Sequence, residues 1–94
     1  MYIILVYDID MTNEVEGQRR LNNIRKVCRK YLNHVQYSVF EGNLSEGKLA
    51  KLEKEVSLVI DQSSDSVIIY IIPDGVSVQR RILTKSSDPL SNII

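Results

Sequence analysis

Residues 34–44 read His34-Val35-Gln36-Tyr37-Ser38-Val39-Phe40-Glu41-Gly42-Asn43-Leu44, and how this stretch folds decides the architecture. Val35, Tyr37 and Val39 alternate with Gln36, Ser38 and Phe40, the period of two that marks a strand. By the same alternation Phe40 lies opposite Val39, which leaves an exposed face and the core equally open to it. On both sides the period changes to that of a helix. Upstream, Leu21, Ile24, Val27, Cys28, Tyr31 and Leu32 follow one another at helical spacing and form an apolar face on a helix from about 14 to 32. Thr12 or Asn13 serves as its N-cap, and Glu14 and Glu16 suit the positive end of the helix dipole. Downstream, Ser45 caps a second helix to about residue 60, with Leu49, Leu52, Val56, Val59 and Ile60 as its apolar stripe.

Beyond the helices lie two apolar strands. Tyr2-Ile3-Ile4-Leu5-Val6-Tyr7 has no polar alternation and predicts a central strand buried on both faces. Val67-Ile68-Ile69-Tyr70-Ile71-Ile72 is a second, stopped by Pro73-Asp74-Gly75. Val78 to Leu83 is a short strand of mixed character, and the chain ends apolar in Leu90, Ile93 and Ile94. This order predicts one α+β domain over residues 1–94, a two-layer sandwich whose natural form is the ferredoxin-like βαββαβ fold. That topology needs two strands between the helices, and only residues 34–44 are available. Either they bend into two short strands or one strand is missing.

Composition limits the function classes. The 94 residues are 44% hydrophobic and 26% charged, ordinary for a globular protein. A domain this small has a marginal core, and oligomerisation is one way to bury more surface. No apolar run approaches the ~20 residues that span a bilayer, and the first strand is too short for a signal peptide, so a cytoplasmic protein without membrane attachment is expected. The single cysteine, Cys28, falls on the apolar face of the first helix and reads as core. Net charge is zero, yet six of the twelve basic residues lie between Arg19 and Lys30, and no acid occurs from Gly17 to Phe40. Arg19, Arg25, Lys26, Arg29 and Lys30 fill the polar face of the helix and concentrate positive potential there. Arg20 projects at the edge of the apolar face, so its guanidinium must find an acceptor or extend outward along its stem.

Asp8 is the strongest single candidate for chemistry. An acid closing an apolar strand stands at the rim of a sheet, where it can ligate a metal, act as a base, or cap the next turn. One carboxylate holds a hard cation such as Mg²⁺ weakly, but a two-fold axis beside it would bring two together. Asp10 reads as a loop residue. His34 has no Cys or His partner for zinc and is a candidate base, a phosphate contact, or a polar residue before a strand. Tyr7, Tyr37 and Phe40 are core or base-stacking candidates, with core favoured for Tyr7. The four glycines are dispersed and form no phosphate-cradling loop.

At these residues the chain resembles the small CRISPR-associated protein 2 family. The resemblance rests on Val6-Tyr7-Asp8-Ile9, Gln18-Arg19-Arg20-Leu21, and above all Val35-Gln36-Tyr37-Ser38-Val39-Phe40-Glu41-Gly42. Ser66 to Ile72 and Asp88-Pro89-Leu90 fit further pieces in the same order. The resemblance implies a ferredoxin-like homodimer with facing sheets and a divided strand at 34–44. It also implies an extra C-terminal strand, within about 84–94, that crosses to the partner subunit. Asp8 matches the family's metal-binding aspartate, and Tyr7, Asp8, Arg19, Ser38 and Phe40 match positions tied to nuclease activity, with Arg20 a possible second arginine. Many members carry Arg immediately before the Val-Gln of the strand motif, where this chain has His34.

Two activities follow from the resemblance. One is a Mg²⁺-dependent endonuclease cutting single-stranded RNA or double-stranded DNA. The other is a place in the spacer-acquisition complex beside the CRISPR-associated protein 1 integrase. In the alternative without catalysis, the dimer is a DNA-binding scaffold whose contacts come from Arg19, Arg20, Arg25, Lys26, Arg29, Lys30 and His34. A toxin-like messenger-RNA interferase would share the sandwich and the small size, but the Tyr-Asp-Ile motif argues against it.

Overall fold

In the computed structural model, which describes residues 1–85, the first apolar run forms strand β1 (Tyr2–Asp8) at the interior of a four-stranded sheet. It pairs antiparallel with β3 (Val39–Asn43) on one side and with β4 (Ser66–Ile72) on the other. β2 (Asn33–Gln36) lies outside β3, giving the order β2-β3-β1-β4. With helices α1 (Glu14–Tyr31) and α2 (Glu46–Val59) in their places along the chain, this is the ferredoxin-like βαββαβ sandwich.

The two helices start where side-chain oxygens replace missing backbone partners. Asn13 Oδ1 accepts the Glu16 N–H at 3.2 Å at the head of α1, and Ser45 Oγ accepts that of Lys48 at 3.3 Å at the head of α2. The cap of α1 is therefore Asn13, not Thr12. α1 buries Leu21, Ile24, Val27 and Cys28, and α2 buries Leu49, Leu52 and Val56; the helices pack against each other. Ile3, Leu5 and Tyr7 from β1 and Phe40 from β3 complete the core. Burial pushes the Cys28 thiol up to about 12, so it stays protonated and inert, as a core residue should.

The segment between the helices divides into two strands. β2 and β3 form a hairpin around Tyr37 and Ser38, and the ladder slips in register between His34 and Gln36. The turn breaks the alternation read from the sequence, because Gln36 and Val39 pair directly and so share a face, while Phe40 lies opposite Leu5 of β1. Phe40, for which the alternation leaves the core and an exposed face both open, is 0% exposed, while Val39 is only half-buried.

Two further expectations are corrected. β1 is covered on one face only: Tyr2, Ile4 and Val6, on the face away from the helices, are half-buried. Residues 78–83 form no strand, because no ladder reaches them within the described chain. Arg80 instead pairs with Glu41 of β3, which also accepts the Tyr2 hydroxyl at 2.8 Å. The expected crossing of the tail falls on residues 86–94, outside the described residues.

Candidate active site

Directly opposed residues of an antiparallel ladder share a face of the sheet. Ile4 pairs with Tyr70 and Val6 with Ile68, so these four side chains lie together on the face the helices leave open. Asp8, two residues beyond Val6 and opposite Ser66, ends the same row. Its exposed carboxylate makes no hydrogen bond or ion pair among the described residues. The capping alternative for Asp8 thus finds no support, whereas Asp10 does cap a turn: its Oδ1 accepts the N–H of Thr12 at 2.9 Å and its hydroxyl at 2.6 Å.

The hairpin tip is fastened beside Asp8 by Tyr7. The Tyr7 N–H donates to the Ser38 carbonyl at 3.1 Å, and its hydroxyl donates to the Tyr37 carbonyl at 3.1 Å. Arg25 reaches from α1 and donates from Nε to the Tyr7 hydroxyl at 3.2 Å. Its guanidinium carbon also lies 4.8 Å from the centre of the Tyr37 ring, a cation–π distance. The bond to Tyr7, and secondarily that to Tyr37, raises the pKa of this guanidinium above its ordinary value and outweighs desolvation.

His34 supports the hairpin tip from the other side. Its ring stacks on Phe40 at 4.4 Å and 8°, and its Nε2 lies 3.0 Å from the Tyr37 carbonyl, to which it donates in the Nε2–H tautomer. Phe40 lies behind this layer, 6.3 Å from the Tyr7 ring and buried, so it backs the site without lining it.

These contacts shape a cleft of about 250 Å³ lined by Tyr7, Asp8, Ile9, Met11, Gln18, Leu21, Tyr37 and Ser38. The structure therefore brings together Tyr7, Asp8 and Ser38. Arg19 lies on the neighbouring exposed groove with Glu14, Val15 and Asn22, held by Glu16 at 2.7 Å. Arg20 finds the acceptor its position required: Asp65, at 2.8 Å, whose side chain is wholly buried. Lys30 is paired with Glu55 of α2. Lys26 and Arg29 are exposed and make no ion pair among the described residues. Gln18 and Met11 were not singled out from the sequence. The signal for Gln18 was its place directly before Arg19-Arg20, while Met11 carried none.

Asp8 is the only carboxylate lining the cleft, and among the described residues no three His, Cys, Asp or Glu side chains gather to hold a metal. An unpartnered, exposed carboxylate offers the hard oxygen that a divalent cation takes, with water completing its shell. One chain supplies one such ligand.

Comparison with known proteins agrees with the fold. The family described as "CRISPR associated protein Cas2" matches residues 1–80. A Moorella thermoacetica protein named CRISPR-associated endoribonuclease Cas2 2 is 48% identical over 92 residues, 98% of this chain and 100% of that relative. The CRISPR-associated endoribonuclease Cas2 of Methanocaldococcus jannaschii is 37% identical over 94 residues, 100% of this chain and 76% of its own length. The crystal structure of Streptococcus pyogenes Cas2 superposes with a TM-score of 0.71 at 26% identity, covering 85% of this chain and 100% of that one. With the family matched over residues 1–80, relatives 37–48% identical across nearly the whole chain, and the same fold, the chain belongs to the CRISPR-associated Cas2 family.

Proposed function

We propose that the chain is a metal-dependent endonuclease that hydrolyses phosphodiester bonds at Asp8 and works as a homodimer in CRISPR adaptation. The observation that carries this reading is the free Asp8 carboxylate, placed beside the Tyr7-fastened hairpin and on the same face as the exposed apolar row. A second copy laid on that row would bring a second Asp8 to the same rim, completing a two-carboxylate site for Mg²⁺ or a similar cation. The cation, when bound, supplies Lewis-acid activation of water and charge neutralisation at phosphorus.

The protein's own groups bind and position. Asp8 holds the cation, and the Ser38 hydroxyl offers a hydrogen bond to a phosphate oxygen. Tyr7, stacked toward Phe40 and tied to Tyr37, fixes the distance between Asp8 and Ser38. Arg19 lies near enough along α1 to contact a neighbouring phosphate. The relatives named endoribonucleases support RNA as the substrate.

A second reading, the scaffold, has its own observation: Lys26 and Arg29 stand exposed without acidic partners among the described residues. There the dimer holds DNA backbone beside the CRISPR-associated protein 1 integrase in the cytoplasm, with strongly salt-dependent affinity.

The test is cleavage of labelled single-stranded RNA and double-stranded DNA with Mg²⁺ or chelator, by the full chain and by Asp8→Asn. Metal-dependent cutting is expected to fall by at least about a hundredfold in Asp8→Asn, with an unchanged circular dichroism spectrum. Equal activity in the variant refutes the site. A Lys26→Ala/Arg29→Ala variant that binds DNA as the parent does refutes the scaffold.

A further inference from the structure

Tyr37 has a property the hydrolytic site does not use. Its side chain projects from the hairpin tip with the residue 73% exposed, while its backbone carbonyl is bonded twice and its ring is covered on one side. The Tyr7 hydroxyl and His34 Nε2 fix its carbonyl, and the Arg25 guanidinium covers one side of its ring. Tyr7 links the first and last of these, because Arg25 itself is anchored on the Tyr7 hydroxyl. The two carbonyl bonds fix the backbone from which the ring projects, and the Arg25 contact restrains one side of the ring, so a ligand meets an aromatic that is already partly positioned. The remainder of the ring faces solvent beside the cleft that ends at Asp8.

The cleft has the chemistry of a base site. Ile9, Met11 and Leu21 give it an apolar wall, and Gln18 and Ser38 give it polar edges. Gln18 Nε2 donates to Asn22 Oδ1 at 3.0 Å, so the amide is oriented, and its oxygen accepts no hydrogen bond among the described residues. An amide oxygen fixed in this way awaits a donor, and every nucleobase except unmodified thymine and uracil carries an exocyclic amine; those two carry an imino N–H.

We propose that this cleft takes one unpaired nucleobase, stacked on the free side of the Tyr37 ring with its hydrogen-bonding edge toward Gln18, so that the site selects single-stranded RNA over duplex. The proposal rests on the reading of Asp8 as the hydrolytic centre only for the role of the base. The stack itself would position the adjoining phosphate at Asp8. A base inside a duplex cannot enter without being unpaired and unstacked, which disfavours double strands.

Binding without cleavage separates the two ideas. Fluorescence anisotropy of a labelled single-stranded RNA, and of the same sequence as a duplex, is measured in chelator and at raised salt, where backbone contacts are screened. The proteins are the full chain, Tyr37→Ala, Tyr37→Phe and Tyr37→Trp, each checked for an unchanged melting temperature. Tyr37→Ala should weaken single-strand binding roughly ten- to a hundredfold, Tyr37→Phe and Tyr37→Trp should retain it, and duplex affinity should be the same in all four. A 2-aminopurine base moved along the RNA should be quenched at one position by the parent protein and not by Tyr37→Ala. Parent-like single-strand affinity in Tyr37→Ala, or an equal loss on the duplex, would overturn the proposal. A base stack that persists in a protein without nuclease activity would refute the hydrolytic reading and leave this one standing.

Discussion

Asp65 is a charged residue with no exposed side-chain surface, and it sits where β4 begins. It is tolerated because its two oxygens accept four hydrogen bonds: from the N–H of Asp10 at 2.9 Å, the N–H of Asp61 at 2.8 Å, and Arg20 at 2.8 and 3.3 Å. Burial works to raise its pKa, but these donors outweigh it and hold the carboxyl below its ordinary value of 3.8. A carboxyl with a depressed pKa in the folded state stabilises the protein fully above its unfolded value, and that stability is lost as pH falls through the folded value. Acid unfolding should therefore steepen below about pH 4. Asp65→Ala strips the acceptor from two backbone N–H groups and a guanidinium. It should cost at least about 2 kcal/mol and flatten the acid limb, read by thermal melts from pH 7 down to pH 2. The sequence showed that Arg20 needed an acceptor, since its helical position is at the edge of the apolar face. It did not show which one. Asp61 and Asp65 flank the same polar turn, and only the turn geometry, with Asp61 bonding Ser63 at 2.7 Å, decides that Asp65 turns inward. In the structure the Arg20 guanidinium holds the chain between β1 and α1 through Asp65 and the Asp10 carbonyl.

Helix α1 shows how a local preference is overruled by an element's surroundings. Gly17 lies in its first turns, where Ala would be favoured by about 1 kcal/mol on propensity alone. A Cβ there would stand 2.6 Å from the Asp10 carbonyl oxygen and 2.8 Å from Met11 Sδ. The sulfur can move, but the carbonyl is backbone on a segment tied down by Asp65 and by the Arg20 bond to the Asp10 oxygen at 3.0 Å. Gly17→Ala should therefore destabilise by about 1–3 kcal/mol, the reverse of the propensity expectation, as measured by urea denaturation. A variant more stable than the parent would show that the helix can shift away from β1. The elements themselves were legible because each carried a period: α1, α2, β1 and β4 fall within a residue or two of their expected bounds. The hairpin was legible only as a shortage of residues. Its turn pairs Gln36 with Val39, so two residues that a single strand would put on opposite faces share one, and the ladder to β1, with Phe40 opposite Leu5 and Val39 opposite Val6, gives Phe40 the core face. Residues 78–83 failed for the opposite reason. Their composition suits a strand, but a strand exists only in a ladder, and no described strand pairs with them.

At the scale of the whole molecule, the two faces of the sheet are unequal. One is sealed by α1 and α2; the other presents Ile68 at 48% and Tyr70 at 54% exposure beside the half-buried Ile4 and Val6. The continuous apolar run of β1 asks for burial on both faces, and one chain provides it on one. A contiguous apolar row of this kind on a small domain marks a contact surface. Glu41, on the same face, is neutralised within the chain by Arg80, so it places no free charge against an approaching surface. On the reading proposed above, a second copy covers this row, because the row ends in Asp8 and a two-fold axis along it would pair the two carboxylates. Replacing Ile68 with Asp puts a charge at the centre of this row without touching Asp8, Tyr7 or the hairpin. Ile68→Asp should sediment as a monomer at concentrations where the parent is a dimer. It should lose metal-dependent cleavage while retaining its circular dichroism spectrum, since each monomer keeps one carboxylate only. Mixing it with Asp8→Asn should not restore activity. A dimeric Ile68→Asp would place the subunit contact elsewhere, and an active monomer would mean that one Asp8 is enough.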